Sequence, residues 1–182
     1  MLKMTTVVFI TAQLVSAPAA ASELPEFVVM YGLWESVAVR AEPAEIFKQM
    51  PHLRQTHEIR GRPSAVCPGI AFEVEQQVAG KLMRTELNYA YDAASSKSFG
   101  VLHSSDGSVL RGVIEHGTDA DALTLTNANN DVVWSESKVW QSADEFHSEA
   151  TFPFQGDTGR VWFVTRRAGK KQTDVPGACG GN

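Results

Sequence analysis

KLMRTELNYAYDAASSKSFGVLHSSDGSVLRGVI, residues 81–114, alternates apolar and polar side chains through two long runs and breaks only at DAASSK and SSDGS. Alternation of period two puts successive side chains on opposite faces of a strand. In the first run Met83, Thr85, Leu87, Tyr89 and Tyr91 share one face, and Leu82, Arg84, Glu86, Asn88 and Ala90 share the other. Asp106-Gly107 is the pair expected in a two-residue hairpin turn, where both central positions need positive φ. That turn pairs Ser105 with Ser108, so His103 meets Leu110, Val101 meets Gly112 and Phe99 meets Ile114, all on one face. If the apolar set of the preceding strand joins this face, Leu87 lies across from His103. The expectation is an imidazole, a residue type suited to proton transfer, on an otherwise apolar inner surface.

Outward from this stretch the pattern repeats. Strands are expected at 70–78, 81–91, 98–105, 108–116, 122–127, 132–141, 145–153 and 160–167, joined by the turn-rich links DAASSK, DG, GTDAD, ANND, SAD and QGDTG. No link is long enough for a helical crossover, so the strands should run antiparallel. Upstream, FVVMYGLWESVAVR (27–40) reads as a first strand, rich in β-branched and aromatic residues. In AEPAEIFKQMPHLRQT (41–56), Pro43 suits an early helical position, Ile46, Phe47 and Met50 share a helical face, and Pro51 stops the helix. About nine short strands must close or fold over to hide their edges. The expected fold is mainly β: an antiparallel up-and-down β-barrel of about eight to ten strands, with a short helix between the first two.

The flanks set the compartment. Residues 1–21 combine an early lysine, an apolar stretch from Val7 to Val15 and small residues at Ala19 and Ala21, the pattern of a secretory signal peptide cleaved before Ser22. A barrel domain over 22–168 and a tail over 169–182 follow, and the product is expected to be secreted into the periplasm with no membrane-crossing segment. A net charge of −5 without a basic stripe argues against nucleic-acid binding. Cys67 and Cys179 are the only cysteines, and in an oxidising compartment their pairing is the expectation, with two free thiols as the alternative. Such a bridge would tether the tail across a long loop, worth up to about 4.7 kcal/mol in the chain-entropy model. Two isolated cysteines without histidine spacing do not make a zinc site, and neither metal nor cofactor is expected.

Strand 132–141 leaves its sidedness open. Trp134, Glu136, Lys138 and Trp140 share one face, and Val133, Ser135, Ser137 and Val139 the other. A five-residue loop to Phe146 sets Trp140 beside Phe146 and Trp134 beside Phe152, which also turns Glu136 and Lys138 inward. An inward pair of that kind is costly unless well hydrogen-bonded, and a one-residue slip exchanges the faces.

Taken in order, Gly32-x-Trp34, then GKLMRTELNYAYDAASSKSFGVLHSSDGS, GVIEHGTDADALTLT, SKVWQSADEFHSEATF and the closing GRVWFVTRRAG resemble an uncharacterised bacterial family of lipocalin-like secreted proteins. The likeness spans Tyr31 to Arg167, and the stretch from Ala41 to Cys67 departs from it. The resemblance implies an up-and-down barrel with a central cavity and no settled activity. Related haem-binding barrels carry further glycines after the tryptophan. Here Glu35-Ser36-Val37 follows Trp34, so haem is not expected.

Three function classes remain. In the first, a small apolar or amphipathic molecule binds in the lumen, lined by Trp34, Tyr89, Tyr91, His103, Trp134, Trp140 and Phe152. In the second, the same barrel is an isomerase, lyase or hydrolase whose acid-base groups come from His103, Glu136 and Lys138, with Arg84 or Arg111 holding an anionic group. No nucleophile elbow, metal-spaced histidine cluster or phosphate loop supports it, and His147 is expected on the outside. In the third, an envelope protein acts through a protein partner, using a locally basic end at Arg160, Arg166, Arg167, Lys170 and Lys171.

Overall fold

The computed structural model describes residues 32–63, 69–78, 81–92, 94–117 and 120–169. Within them ten antiparallel strands close into a barrel: β1 (Gly32–Glu42), β2 (His57–Pro63), β3 (Gly69–Val78), β4 (Lys81–Asp92), β5 (Lys97–Ser104), β6 (Val109–His116), β7 (Ala120–Thr126), β8 (Val132–Ser142), β9 (Glu145–Phe154) and β10 (Asp157–Arg167). Each strand pairs with the next along the chain, and β1 pairs with β10 to shut the ring. Every strand therefore has a neighbour on both sides, which removes the free edges an open sheet would carry. Between β1 and β2 lie a short helix, α1 (Glu45–Gln49), and a 3-10 turn over Pro51–Arg54. No helix among the described residues is long and apolar enough to cross a membrane. Cys67, Cys179, the segment 1–21 and the tail from Lys170 lie outside the described residues, so the expected bridge and signal peptide do too.

Two details of the expected strand pattern change. The first is β2, HEIRGRP, which was not anticipated: its inward set is His57, Ile59 and Gly61, only one of them strongly apolar, so its hydrophobic alternation is faint. The helix spans five residues and ends before Pro51, as expected, and Pro51 then opens the 3-10 turn.

The second is the register of the β5–β6 hairpin. Leu102 lies opposite Leu110, Val101 opposite Arg111 and His103 opposite Val109, one residue away from the expected pairing. The cause is the turn. Only Gly107 has positive φ (89°), Ser104 N–H donates to the Ser108 carbonyl at 2.9 Å, and Gly107 N–H donates to the Ser104 carbonyl at 2.9 Å. That is a three-residue loop with glycine in the left-handed position, and the Asp106 carboxylate holds it by accepting from Ser108 N–H at 2.9 Å and Ser108 Oγ at 2.7 Å. A one-residue change of register exchanges the faces. Leu102, Leu110 and Ile114 consequently face inward with Leu87, which pairs with Leu102, whereas Phe99, Val101 and His103 are exposed. The two-residue turn with positive φ at both central positions occurs instead at Gln155-Gly156, between β9 and β10.

Two apolar clusters form the core of the ring. In one, Trp34, Phe72, Tyr89 and Phe146 pack with Leu102, Ile114, Leu123 and Leu125. In the other, Ile46 and Leu53 of the insert pack against Ala38, Ala41, Phe152, Phe154 and Val161. Gly159 makes the second contact possible: a Cβ there would stand 3.1 Å from Ile46 Cδ1 and 3.0 Å from Phe154 Cβ.

Candidate functional site

The strands surround a cavity of about 360 Å³, near the lower end of the range for small-molecule pockets. Its wall is mostly aliphatic: Leu87, Leu102, Ile114, Leu123 and Leu125 come from β4 to β7, with Ile59 and Val74 beside them. These positions follow from period-two alternation on a sheet whose inner face is dry. Met50, His52 and Leu53 of the insert border the cavity at one end.

The other end is sealed by aromatic packing. Trp34 is wholly buried, with ring centroids 5.9 Å from Trp140 and 5.8 Å from Phe146. The Arg167 guanidinium lies 4.2 Å from the Trp34 ring centroid, and Arg167 Nε donates to Asp144 Oδ1 at 2.6 Å. Arg167 is an inward residue of β10 directly opposite Trp34 in register, and its side chain is 4% exposed. A desolvated cation on an indole face is worth about 2 kcal/mol.

Several polar groups reach the lumen. Glu136 and Lys138, alternate residues of β8, both line the cavity, which settles the sidedness of that strand. They form no ion pair with each other within 4.0 Å. Glu136 Oε2 accepts from Trp134 Nε1 at 3.2 Å, and Lys138 Nζ sits 5.4 Å from the Phe146 ring centroid. Across the ring, Tyr89 lies over a pair of glycines, Gly100 and Gly112, that face each other on β5 and β6. A Cβ at Gly112 would come within 2.7 Å of Tyr89 Oη, and one at Gly100 within 2.5 Å of Tyr89 Cδ1, so only glycine leaves room for the ring. The phenol lines the cavity, is 2% exposed and has no hydrogen-bond partner among the described residues. Burial, and after it the charge of Glu136, push its pKa above the ordinary tyrosine value. On the seam between β1 and β10, Thr165 Oγ1 donates to Ser36 Oγ at 2.8 Å, which leaves the Ser36 hydroxyl proton free to point elsewhere.

Two histidines stand at the insert. His57 Nε2 bonds the His52 carbonyl at 2.9 Å, tying β2 to the 3-10 turn. Burial, then repulsion from a charged His52, lower the pKa of His57, and burial lowers that of His52, so the site disfavours the charged form of both.

The aromatic residues expected in the lumen divide. Tyr89 and Trp134 line it, with Trp134 stacked on Phe152 at 5.4 Å and 10°. Trp34 and Trp140 belong to the seal, Phe152 packs beneath the insert, and Tyr91 stands edge-on to His116 at 5.6 Å. His103 is the clear correction: it is exposed on the outer face, opposite Glu86 and Val109, because the longer turn moved the register. Among the catalytic candidates, then, Glu136 and Lys138 reach the cavity and His103 does not. Arg84 and Arg111 are also exposed, Arg84 pairing outside the barrel with Glu75 and Glu73, and His147 is exposed beside Glu145.

Sequence reading missed two groups. One is Tyr89's glycine bed, visible only once the register of β5 and β6 is known. The other is a chain of polar contacts near the sealed end: Asp121 Oδ1 to His116 Nδ1 at 3.2 Å, and His116 Nε2 to Ser98 Oγ at 2.8 Å. Its order matches an acid-base-nucleophile triad. Ser98 is 1% exposed and does not line the cavity, so the relay pins β5, β6 and β7 together and offers no substrate a nucleophile. No metal-binding cluster of three or more His, Cys, Asp or Glu occurs among the described residues.

No protein-family model matches the chain, and no curated protein does either.

Proposed function

We propose that this protein binds a small amphipathic molecule in the lumen of its barrel and acts as a secreted, periplasmic carrier. The observation that carries the reading is the cavity itself: about 360 Å³ of largely aliphatic wall with a few polar groups set into it. A folded chain gains nothing in stability from such a space, because the lining atoms forgo contacts they would make in a filled core. Placed polar groups on an apolar wall are the arrangement that orients a ligand. The pattern of residues 1–21 supports the location.

The test is retention and competition. Protein purified from its native host should carry a small apolar or amphipathic compound detectable by mass spectrometry. Delipidated protein should change its tryptophan fluorescence on addition of decanol, because Trp134 lines the cavity. Filling the space with Thr85→Trp and Leu87→Trp should abolish that response while the fold is kept. Absence of any retained compound, together with an unresponsive Trp134, would overturn the reading.

A second reading, acid-base catalysis in the same lumen, is supported by the carboxylate of Glu136, the amine of Lys138 and the phenol of Tyr89 facing one space. It requires turnover of the retained compound that is lost in Glu136→Gln.

A further inference from the structure

We infer that the lumen selects a ligand with an anionic head, a carboxylate on an apolar body, held by Lys138 and the Tyr89 hydroxyl. This rests on the lumen being a binding site and names the ligand class it takes.

Both carboxylates near Lys138 already have donors: Glu136 accepts from Trp134 Nε1, and Asp121, opposite Lys138 in register, accepts from His116 Nδ1. Neither approaches Lys138 within 4.0 Å, although one is its neighbour on β8 and the other its neighbour on β7. Lys138 instead directs Nζ toward the Phe146 ring, on the cavity wall. Lys138 is half-buried on the cavity wall and makes no ion pair or side-chain hydrogen bond among the described residues, so an anion entering the lumen would meet an uncommitted cation. The Tyr89 hydroxyl, on the same cavity and 2% exposed, is a second unused donor among the described residues, and its ring lies over the Gly100–Gly112 pair, which leaves it room. A third donor is available from the Ser36–Thr165 pair, which holds two hydroxyl protons and uses one between them. The two histidines on the cavity, His52 and His57, stand at the insert, where burial disfavours their charged forms. The lumen therefore holds one uncommitted cation and uncommitted hydroxyl donors, while its one carboxylate, Glu136, is engaged on Oε2 by Trp134. A carboxylate is acceptor-only and matches them.

The remaining wall takes the chain. Leu87, Leu102, Ile114, Leu123 and Leu125 supply apolar surface from four successive strands for the ligand's body.

The experiment compares decanoate, decanol and decylammonium, three probes of equal chain length, by titration calorimetry on the delipidated full-length mature protein. Decanoate should bind about tenfold or more tighter than decanol, and decylammonium weakest. Lys138→Met, which keeps the side-chain volume, should weaken decanoate about ten- to a hundredfold and change decanol less than twofold. Tyr89→Phe leaves the ring on its glycines and should weaken decanoate several-fold while the protein loses no stability, which separates a binding role from a structural one. Glu136→Gln should tighten decanoate by removing a nearby negative charge. Equal binding of decanoate and decanol, unaltered by Lys138→Met, overturns the anionic head and leaves the carrier reading intact. Tightest binding of decylammonium, lost in Glu136→Gln, overturns it in favour of a cationic ligand. No binding of any probe overturns both.

Discussion

Alanine at Gly112 should act through Tyr89 alone, and its sign should reverse when that ring is removed. A Cβ at position 112 would stand 2.7 Å from Tyr89 Oη, 2.8 Å from Cε1 and 3.1 Å from Cζ, where ordinary contact begins at 3.4 Å. The ring is buried and backed by Phe72, with centroids 6.4 Å apart, so it gives way only by entering the cavity. Overpacking of this kind costs about 1–3 kcal/mol. Against it stands the gain of replacing glycine inside a strand, about 0.5–1 kcal/mol. Gly112→Ala should therefore destabilise by about 1–2 kcal/mol. In a Tyr89→Leu background the obstructing atoms are gone, and the same substitution should stabilise by about 0.5–1 kcal/mol, a coupling of about 2 kcal/mol. Gly100→Ala is the internal control. Its Cβ would lie 2.2 Å from the Asn88 carbonyl oxygen, a backbone atom that Tyr89→Leu does not move, so it should destabilise in both backgrounds. Urea unfolding of the six proteins, followed by tryptophan fluorescence and compared at constant m, gives the cycle. Additivity of Gly112→Ala and Tyr89→Leu within 0.5 kcal/mol would refute the bed, as would full rescue of Gly100→Ala.

Three further outcomes follow from other sites. His52 and His57 have folded pKa values below the unfolded value of 6.5, so in the range just under 6.5 the unfolded chain binds more protons than the folded one. Stability should fall as pH drops through that range and show no histidine dependence above it, and His57→Gln should flatten a plot of urea midpoint against pH; a midpoint that rises on acidification contradicts this. Arg167→Met should cost about 2–3 kcal/mol in thermal or urea unfolding, through the lost indole stack and the Asp144 bond, whereas Arg166→Met, at an exposed pair with Glu145, should stay within about 0.5 kcal/mol. Equal effects at the two positions would remove Arg167 from the seal. His103→Ala should change neither stability by more than about 0.5 kcal/mol nor decanoate binding, because the imidazole faces outward; a loss of binding would restore it to the lumen.

The ring was legible because alternation is strong where one face is dry. β4 and β9 show it residue by residue, and the pairing of Trp140 with Phe146 follows from a five-residue link that sequence alone displays. What escaped was decided by single turns. Asp106-Gly107 is compatible with a two- or a three-residue loop, and the Asp106 carboxylate chose the longer one, which carried His103 out of the lumen. β2 hid because its inward side chains are an imidazole, an isoleucine and no side chain at all. The site was only half visible for a related reason. Glu136 and Lys138 were placed once their strand's face was known, but the isolation of the Tyr89 hydroxyl depends on groups from β4, β5 and β6 meeting, a property no single segment holds.

The seam between β1 and β10 has a consequence for assembly. Nine of the ten strand pairings join consecutive strands, so most of the sheet can grow by local zippering. The tenth brings Trp34 to Arg167 across some 130 residues, a closure whose chain-entropy cost is about 4 kcal/mol. The guanidinium on the indole and the Ser36–Thr165 hydroxyl bond lie on that seam and offset much of it. The protein behaves as a belt fastened at one buckle. Weakening the buckle should leave the hairpins intact and still release whatever the belt encloses.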